Sequence, residues 1–352
     1  MENSIKEKTQ AEDAPLVSIC VITYNHEKYI RQCLDGIFMQ KVDFPYEVLV
    51  HDDASPDGTA DIIREYEAKY PDIIKPIYQT ENQYSKDRSI ISRLQYGRAK
   101  GKYIAQCEGD DYWTDPGKLQ MQVDFLEAHP EYVETGHNIS VINEWGLIPN
   151  HPDSHRPERV YTLNDIKQGK IWMVATASAV YRNIFLTIDE RLKELYYTCP
   201  ATGDLKISLI LSQYGDCYVF ARKMSVYRHI TTYGTSFNTR AKGKNSSFFW
   251  YNVYIGSIQF MKDGFDIEIT FKHLMSEVTA SSIAFWILHL HQHDVKNYQI
   301  MVSILKDYRH RFENNSILFN VLPNVPIQVG YMLGSKYLPI IRGFRKKGRL
   351  YK

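Results

Sequence analysis

Apolar residues fall in two alternating rhythms along the first third of this chain. Val17 to Thr23 is a β-branched run that reads as a strand. Asn25 then offers a helix cap, and Ile30, Cys33, Leu34, Ile37 and Phe38 recur at helical spacing. The unit repeats at once: Glu47 to His51 predicts a strand, Asp52 to Gly58 a polar turn, and Ile62, Ile63, Tyr66 and Tyr70 a second helical stripe. A strand over Ile73 to Gln79, a helix over Ser89 to Ala99 and a buried strand over Tyr103 to Cys107 continue the alternation. Consecutive strand-helix units predict a parallel sheet. In open α/β sheets ligands gather at the carboxyl ends of strands, so Tyr24 and Asn25, Asp52 and Asp53, and Glu108 to Asp111 are expected around one crevice.

After Trp145 the alternation loosens into loop-rich sequence around His151-Pro152 and Arg156-Pro157. Small and β-branched residues from Trp172 to Val180 predict one more strand. Beyond Ser236 long segments such as Phe271 to Leu290 carry helical apolar spacing with few turn signals. The expected organisation is a short unstructured lead-in over 1–14, a main body over 15–235 and a mostly helical extension over 236–352. No internal repeat or low-complexity tract interrupts it.

Composition narrows the function classes. The 352 residues can bury a sizeable core. Lys and Arg number 42 against 41 Asp and Glu, so no global field favours nucleic acid as a partner. Five scattered cysteines without Cys-x-x-Cys spacing fit reduced thiols better than a disulfide framework or a zinc site. Met1 to Ala14 is polar and charged, without the apolar stretch of a signal peptide, which predicts a cytoplasmic protein. Asn314 to Ser335 carries no charge and leads into Arg342, Arg345, Lys346, Lys347, Arg349 and Lys352. Two prolines and several amides in that stretch argue against a membrane span. It suits either peripheral contact with the anionic inner membrane face or an ordinary packed extension with a solvated tail. His289, His291 and His293 lack the Glu of a His-Glu-x-x-His site and read as a helix surface.

Candidate chemistry concentrates in Glu108-Gly109-Asp110-Asp111, directly after a predicted buried strand. Carboxylates so close repel one another unless a cation sits among them. Mg²⁺ and Mn²⁺ take oxygen ligands of this kind and complete their shells with substrate phosphates and water, so a diphosphate is the natural guest. The alternative is an acidic turn capping the following helix.

Three segments together resemble the family 2 glycosyltransferases of the GT-A fold, over roughly Pro15 to His229. They are Val17-Ser18-Ile19-Cys20-Val21-Ile22-Thr23-Tyr24-Asn25, Glu47-Val48-Leu49-Val50-His51-Asp52-Asp53-Ala54-Ser55-Pro56-Asp57-Gly58-Thr59, and Gly101-Lys102-Tyr103-Ile104-Ala105 leading into Glu108-Gly109-Asp110-Asp111-Tyr112-Trp113. The resemblance implies an α/β GT-A domain, Rossmann-like, with the helical extension appended. It implies a nucleotide-sugar donor, UDP-linked above other nucleotides, and single additions to a glycan or lipid-linked glycan of the bacterial surface with inversion at the sugar carbon. It implies that Thr23, Tyr24 and Asn25 with Asp52 and Asp53 hold base and ribose. Carboxylates there can accept from a uracil N–H or a ribose hydroxyl, or can simply form an Asx turn before Thr59. The acidic motif would hold diphosphate and Mn²⁺ or Mg²⁺, with Glu108 and Gly109 beside the nucleotide and Asp110, Asp111 and His229 as metal ligands. Glu108 stands where the family usually has Asp.

The same resemblance implies a general base at the start of a helix in the second half, where Gly203-Asp204-Leu205 precedes the apolar run Ile207 to Leu211. Asp204 is that candidate, with an ordinary N-cap as the alternative. Many relatives have Glu where this chain has Gly203. Trp113 is expected beside the donor site or in the core. The first-strand loop lacks the Gly-rich basic signature of sugar-phosphate nucleotidyltransferases, and the chain lacks the Gln-x-x-Arg-Trp signature of processive synthases. A non-catalytic scaffold that binds a nucleotide sugar is the competing reading.

Overall fold

The computed structural model describes residues 14–168, 174–230, 247–288, 295–312, 321 and 325. Two compact units emerge, Met1–Ile166 with Lys170–Lys242 and Lys167–Gly169 with Gly243–Lys352. The first begins with β1 (Val17–Thr23), α1 (Ile30–Phe38), β2 (Tyr46–Asp52), α2 (Thr59–Lys69), β3 (Ile74–Tyr78), α3 (Ile90–Arg98) and β4 (Tyr103–Glu108). All seven follow the alternating apolar pattern. Asn25 caps no helix: α1 starts five residues later, and Asn25 instead takes a left-handed backbone with φ of 60°. A short amide side chain tolerates that conformation, which turns the chain sharply at the strand end.

Next come β5 (Tyr112–Trp113), α4 (Lys118–Ala128), β6 (Tyr132–Asn143), β7 (Gly146–Leu147), β8 (Arg159–Tyr161), α5 (Leu163–Lys167), β9 (Val180–Arg182), α6 (Glu190–Thr198), α7 (Gly203–Leu211) and β10 (Asp216–Arg228). The sheet order is β3-β2-β1-β4-β9-β6-β10-β5, with β7 on β6 and β8 on β10. The first four strands are parallel, as expected. Strand β9 lies antiparallel between β4 and β6, so the whole sheet is mixed rather than parallel. Two reversals restore direction: β6 runs with β4, and β10 runs parallel to β6. The carboxyl ends of β1, β2, β4, β6 and β10 therefore share one edge.

The expected strand from Trp172 to Val180 is corrected. Residues 172 and 173 lie outside the described residues, Thr176–Ser178 form a 3₁₀ turn, and the strand begins only at Val180. Ser178 donates its hydroxyl to the Ala175 carbonyl at 2.8 Å, a local bond that competes with strand pairing. The lead-in up to residue 13, the histidines at 289, 291 and 293, the expected unit boundary at 235 and nearly all of the apolar stretch with its basic tail also lie outside the described residues.

Apolar side chains of β1 (Val17, Ile19, Val21) pack with Leu34 and Ile37 of α1, Ile63 of α2 and Ala105 and Cys107 of β4 in one buried cluster. All five cysteines are free and buried, as small core filling. Trp113 belongs to this core, 1% exposed. Its backbone presses so closely on α1 that a Cβ at Gly36 would stand 2.7 Å from the Trp113 carbonyl oxygen.

Under that indole lies Lys118, fully buried, with Nζ 4.1 Å from the ring centroid and no hydrogen-bond acceptor among the described residues. Burial lowers its pKa from 10.5 to about 7, with the Cys107 thiol opposing. Below pH 7 the amine is charged folded and unfolded, and burying it costs on the order of 4 kcal/mol before the indole face returns a part. As pH rises to 10.5 the native state has already released its proton, so the cost shrinks and stability rises. Lys118→Met is therefore expected to raise the thermal unfolding midpoint by several degrees at pH 6.5 and by much less at pH 9.5. Scanning calorimetry at the two pH values checks it.

In the second unit α8 (Ser247–Phe265), α9 (Lys272–Leu288) and α10 (Val295–Arg311) pack on one another. Phe260, Met261, Phe271, Met275, Ile304 and Tyr308 are buried there, and the Tyr251 hydroxyl donates to Asp307 Oδ2 at 2.6 Å. This is the helical extension that the spacing predicts. Among the described residues no helix is long and apolar enough to cross a membrane.

Candidate active site

Backbone hydrogen bonds tie the strand ends together. Asp53 N–H donates to the Thr23 carbonyl at 3.0 Å, and Gly109 N–H donates to the Ile22 carbonyl at 2.9 Å. The ends of β2 and β4 are thus both clamped to the end of β1. The expected convergence of Thr23 to Asn25, Asp52 to Asp53 and Glu108 to Asp111 follows from this.

Beyond β1 the chain is held against the start of α2. Asn25 N–H donates to Ser55 Oγ at 2.9 Å, His26 N–H to Thr59 Oγ1 at 2.9 Å and Glu27 N–H to Asp57 Oδ2 at 3.0 Å. Asp57 also accepts from the Thr59 N–H and hydroxyl, so one carboxylate fixes both the helix start and the first loop. Ser55 donates its hydroxyl to Asp52, whose pKa is raised by burial. Asp53, 2% exposed, accepts Gln83 N–H at 2.8 Å on one oxygen and Tyr84 N–H at 3.1 Å on the other. It therefore braces the loop after β3.

The turn after β4 closes through Asp111 N–H donating to the Glu108 carbonyl at 2.9 Å. One oxygen from each of Glu108, Asp110 and Asp111 lies within 4.8 Å of the others. This is the only such group of three among the described residues, and His229 stands outside it. Burial, then Asp110, then Asp204 push the Glu108 carboxyl up to about 8. Burial, then Asp110 and Glu108, raise Asp111 well above the usual carboxylate range. Removing these protons without a compensating cation is costly, so an oxygen-seeking divalent ion fits this donor set.

Gly109 is required by a close approach. A Cβ there would meet Thr23 Oγ1 at 2.7 Å, Thr23 Cβ at 2.8 Å and His26 Nδ1 at 2.9 Å. Gly109→Ala is expected to separate the acidic turn from the first loop and to cost about 1–3 kcal/mol, the usual price of overpacking. Calorimetric unfolding reads that loss.

Two residues here escaped the sequence reading. His26 lies with Nε2 3.8 Å from Asp110 Oδ2 and Nδ1 3.2 Å from Thr23 Oγ1, and burial lowers its pKa while Asp110 opposes. Arg228 ends β10 and reaches the acidic turn through both its backbone and its guanidinium. The signal for His26 was its place next to Asn25 in the first loop, and that for Arg228 its place directly before His229.

Asp204 lies in the first turn of α7, where Leu205 to Leu211 are all buried and anchor the helix. Leu205 N–H donates to Asp204 Oδ1 at 2.9 Å. Its carboxylate is near enough to Glu108 to help raise that group's pKa, so the second half of the domain brings an acid to the metal-type cluster. His229 is half-buried, with N–H donating to the Ile142 carbonyl at 2.8 Å.

With this geometry in view, residues 18–186 match the profile of glycosyl transferase family 2. An uncharacterised protein of Mycobacterium tuberculosis is 46% identical over 132 residues, 37% of each chain. The putative teichuronic acid biosynthesis glycosyltransferase TuaG of Bacillus subtilis is 32% identical over 126 residues, 36% of this chain and 48% of that one. The chain thus spans less than half the length of these relatives. Residues 1–349 of S. aureus TarS in complex with UDP-GlcNAc superpose with a TM-score of 0.60 at 16% identity, over 90% of this chain and 92% of that one. The fold is the GT-A fold with a helical C-terminal part.

Proposed function

We propose that the protein is an inverting glycosyltransferase that moves one sugar from a UDP-sugar to an acceptor hydroxyl. The observation that carries this is the three-carboxylate turn after β4 with Asp204 beside it. Thr23, Tyr24, Asn25 and Asp52 hold the base and ribose, and Asp53 keeps their loop in place. Glu108, Asp110 and Asp111 would hold Mn²⁺ or Mg²⁺ beside the donor nucleotide, with His26 beside Asp110 and Gly109 keeping the turn close to the first loop. His229, just after β10, would be a further metal ligand in this reading. When bound, the metal supplies Lewis-acid stabilisation of the charge that builds on the leaving diphosphate. Asp204 takes the proton from the acceptor hydroxyl as its oxygen attacks the sugar carbon opposite the diphosphate, and configuration inverts.

UDP is favoured because TarS, the structural neighbour, is known in complex with UDP-GlcNAc. The name of the B. subtilis relative supports a growing surface glycan, free or lipid-linked, as acceptor. Such an acceptor is met at the inner membrane face, where the basic C-terminal tail would find anionic lipid. The test is UDP release from UDP-hexoses and UDP-N-acetylhexosamines with Mn²⁺, with and without simple glycoside acceptors. Turnover that requires Asp204 supports the proposal; nucleotide binding without turnover across the panel favours the scaffold.

A further inference from the structure

We propose that Arg228 is a positioning residue that fixes the acidic turn in its metal-accepting geometry without its guanidinium occupying the carboxylates. The inference rests on reading that turn as the metal and diphosphate site.

Arg228 is 7% exposed, and its guanidinium carbon lies 4.8 Å from the Tyr29 ring centroid and 4.6 Å from that of Tyr112. Aromatic faces on those two residues attract the cation and limit where its planar fork can turn. One arm donates to the Asp110 carbonyl oxygen and the other to Gln32 Oε1. The Arg228 N–H donates to Asp111 Oδ1 at 2.8 Å. A single residue thus joins α1, the acidic turn and the end of β10.

Its choice of partners is the informative feature. A guanidinium next to three carboxylates would ordinarily form a bidentate pair with one of them. Here both arms go to neutral oxygens, one of them the backbone of the turn itself. The cation therefore sets the position of Asp110 through its main chain and leaves the Asp110 carboxylate free. Asp111 is fixed through Oδ1, which accepts the Arg228 N–H. Without this hold, mutual repulsion would spread the carboxylates, and a metal would have to gather them again. Lys cannot reproduce the role, because an ammonium lacks the fork that spans two acceptors in fixed directions.

The experiment measures Mn²⁺ uptake by electron paramagnetic resonance of the free ion, in the presence of UDP, together with thermal unfolding. It compares the natural chain with Arg228→Lys, Arg228→Met and Gln32→Leu, the last removing one acceptor while keeping the cation. The expected result is at least a 10-fold weaker apparent Mn²⁺ affinity for both Arg228 variants and about a 3-fold loss for Gln32→Leu. UDP release should recover toward the natural kcat as Mn²⁺ is raised to saturation. If Arg228→Met does not fold, Arg228→Lys and Gln32→Leu decide. Folded variants that take up Mn²⁺ like the natural chain overturn the positioning role and leave the metal reading standing. A natural chain that takes up no Mn²⁺ defeats the metal reading and this proposal with it.

Discussion

Asp110→Ala is expected to lower Mn²⁺-dependent UDP affinity by about 100-fold or more, equivalent to about 2.7 kcal/mol. Asp110 is one of three acids whose oxygens lie within 4.8 Å of one another, and its side chain is 15% exposed, open to a ligand at the crevice edge. Removing it takes one charge from the cation's shell and relieves both neighbours, whose carboxyls it helps to raise. Glu108 and Asp111 then remain as an incomplete pair. The loss should be confined to metal-containing buffer, since the nucleotide contacts from the β1 and β2 ends are untouched. Calorimetric titration with UDP, with and without Mn²⁺, separates these contributions. An equal loss in both buffers would mean that Asp110 acts on the nucleotide directly or supports the fold.

Asp204→Asn is expected to leave UDP binding intact while lowering kcat by about 10²–10⁴-fold, the range for a lost general base. The substitution keeps the shape of the side chain and its bond from Leu205 N–H, so α7 should start unchanged. It also removes a negative charge that acts on Glu108. Metal-dependent UDP binding should therefore hold or tighten slightly. Weaker metal binding would make Asp204 a ligand or a structural brace, and unchanged turnover would remove it from the chemistry. The binding and rate measurements on this one variant distinguish these roles.

What the sequence revealed follows physical lines. The β1 to β4 half was legible because each strand buries a short β-branched run and each helix one apolar stripe, so both periods survive in the residue pattern. Strand β6 was not. It is buried on both faces, and its buried positions include Glu134, Thr135, His137 and Asn138, which read as loop residues until their partners are seen. Asn138, for example, donates to the Arg156 and Ala221 carbonyls and accepts Arg156 N–H. Strand β9 is three residues long and follows a 3₁₀ turn, too short for any period to register.

The candidate site divides in the same way. Glu108 to Asp111 and Asp52 to Asp53 stand out as clustered charge after apolar runs, whereas Arg228 depends on the pairing of β10 with β6. That pairing contains three register shifts, which no spacing rule anticipates. His26 gains its place because Gly109 lets the acidic turn approach the first loop, a contact between segments more than 80 residues apart. Asp53, expected as a nucleotide contact, also holds the loop after β3 through two backbone donors. A carboxylate at a strand end can serve either role, and the residue pattern does not separate them.

The most direct test of the account is a calorimetric titration of the natural chain with UDP in the presence of Mn²⁺ and again in chelator. A nucleotide site built on the acidic turn predicts UDP binding that strengthens at least about 10-fold with the metal, with GDP weaker under both conditions. No binding of either nucleotide, or binding indifferent to the metal, would contradict it.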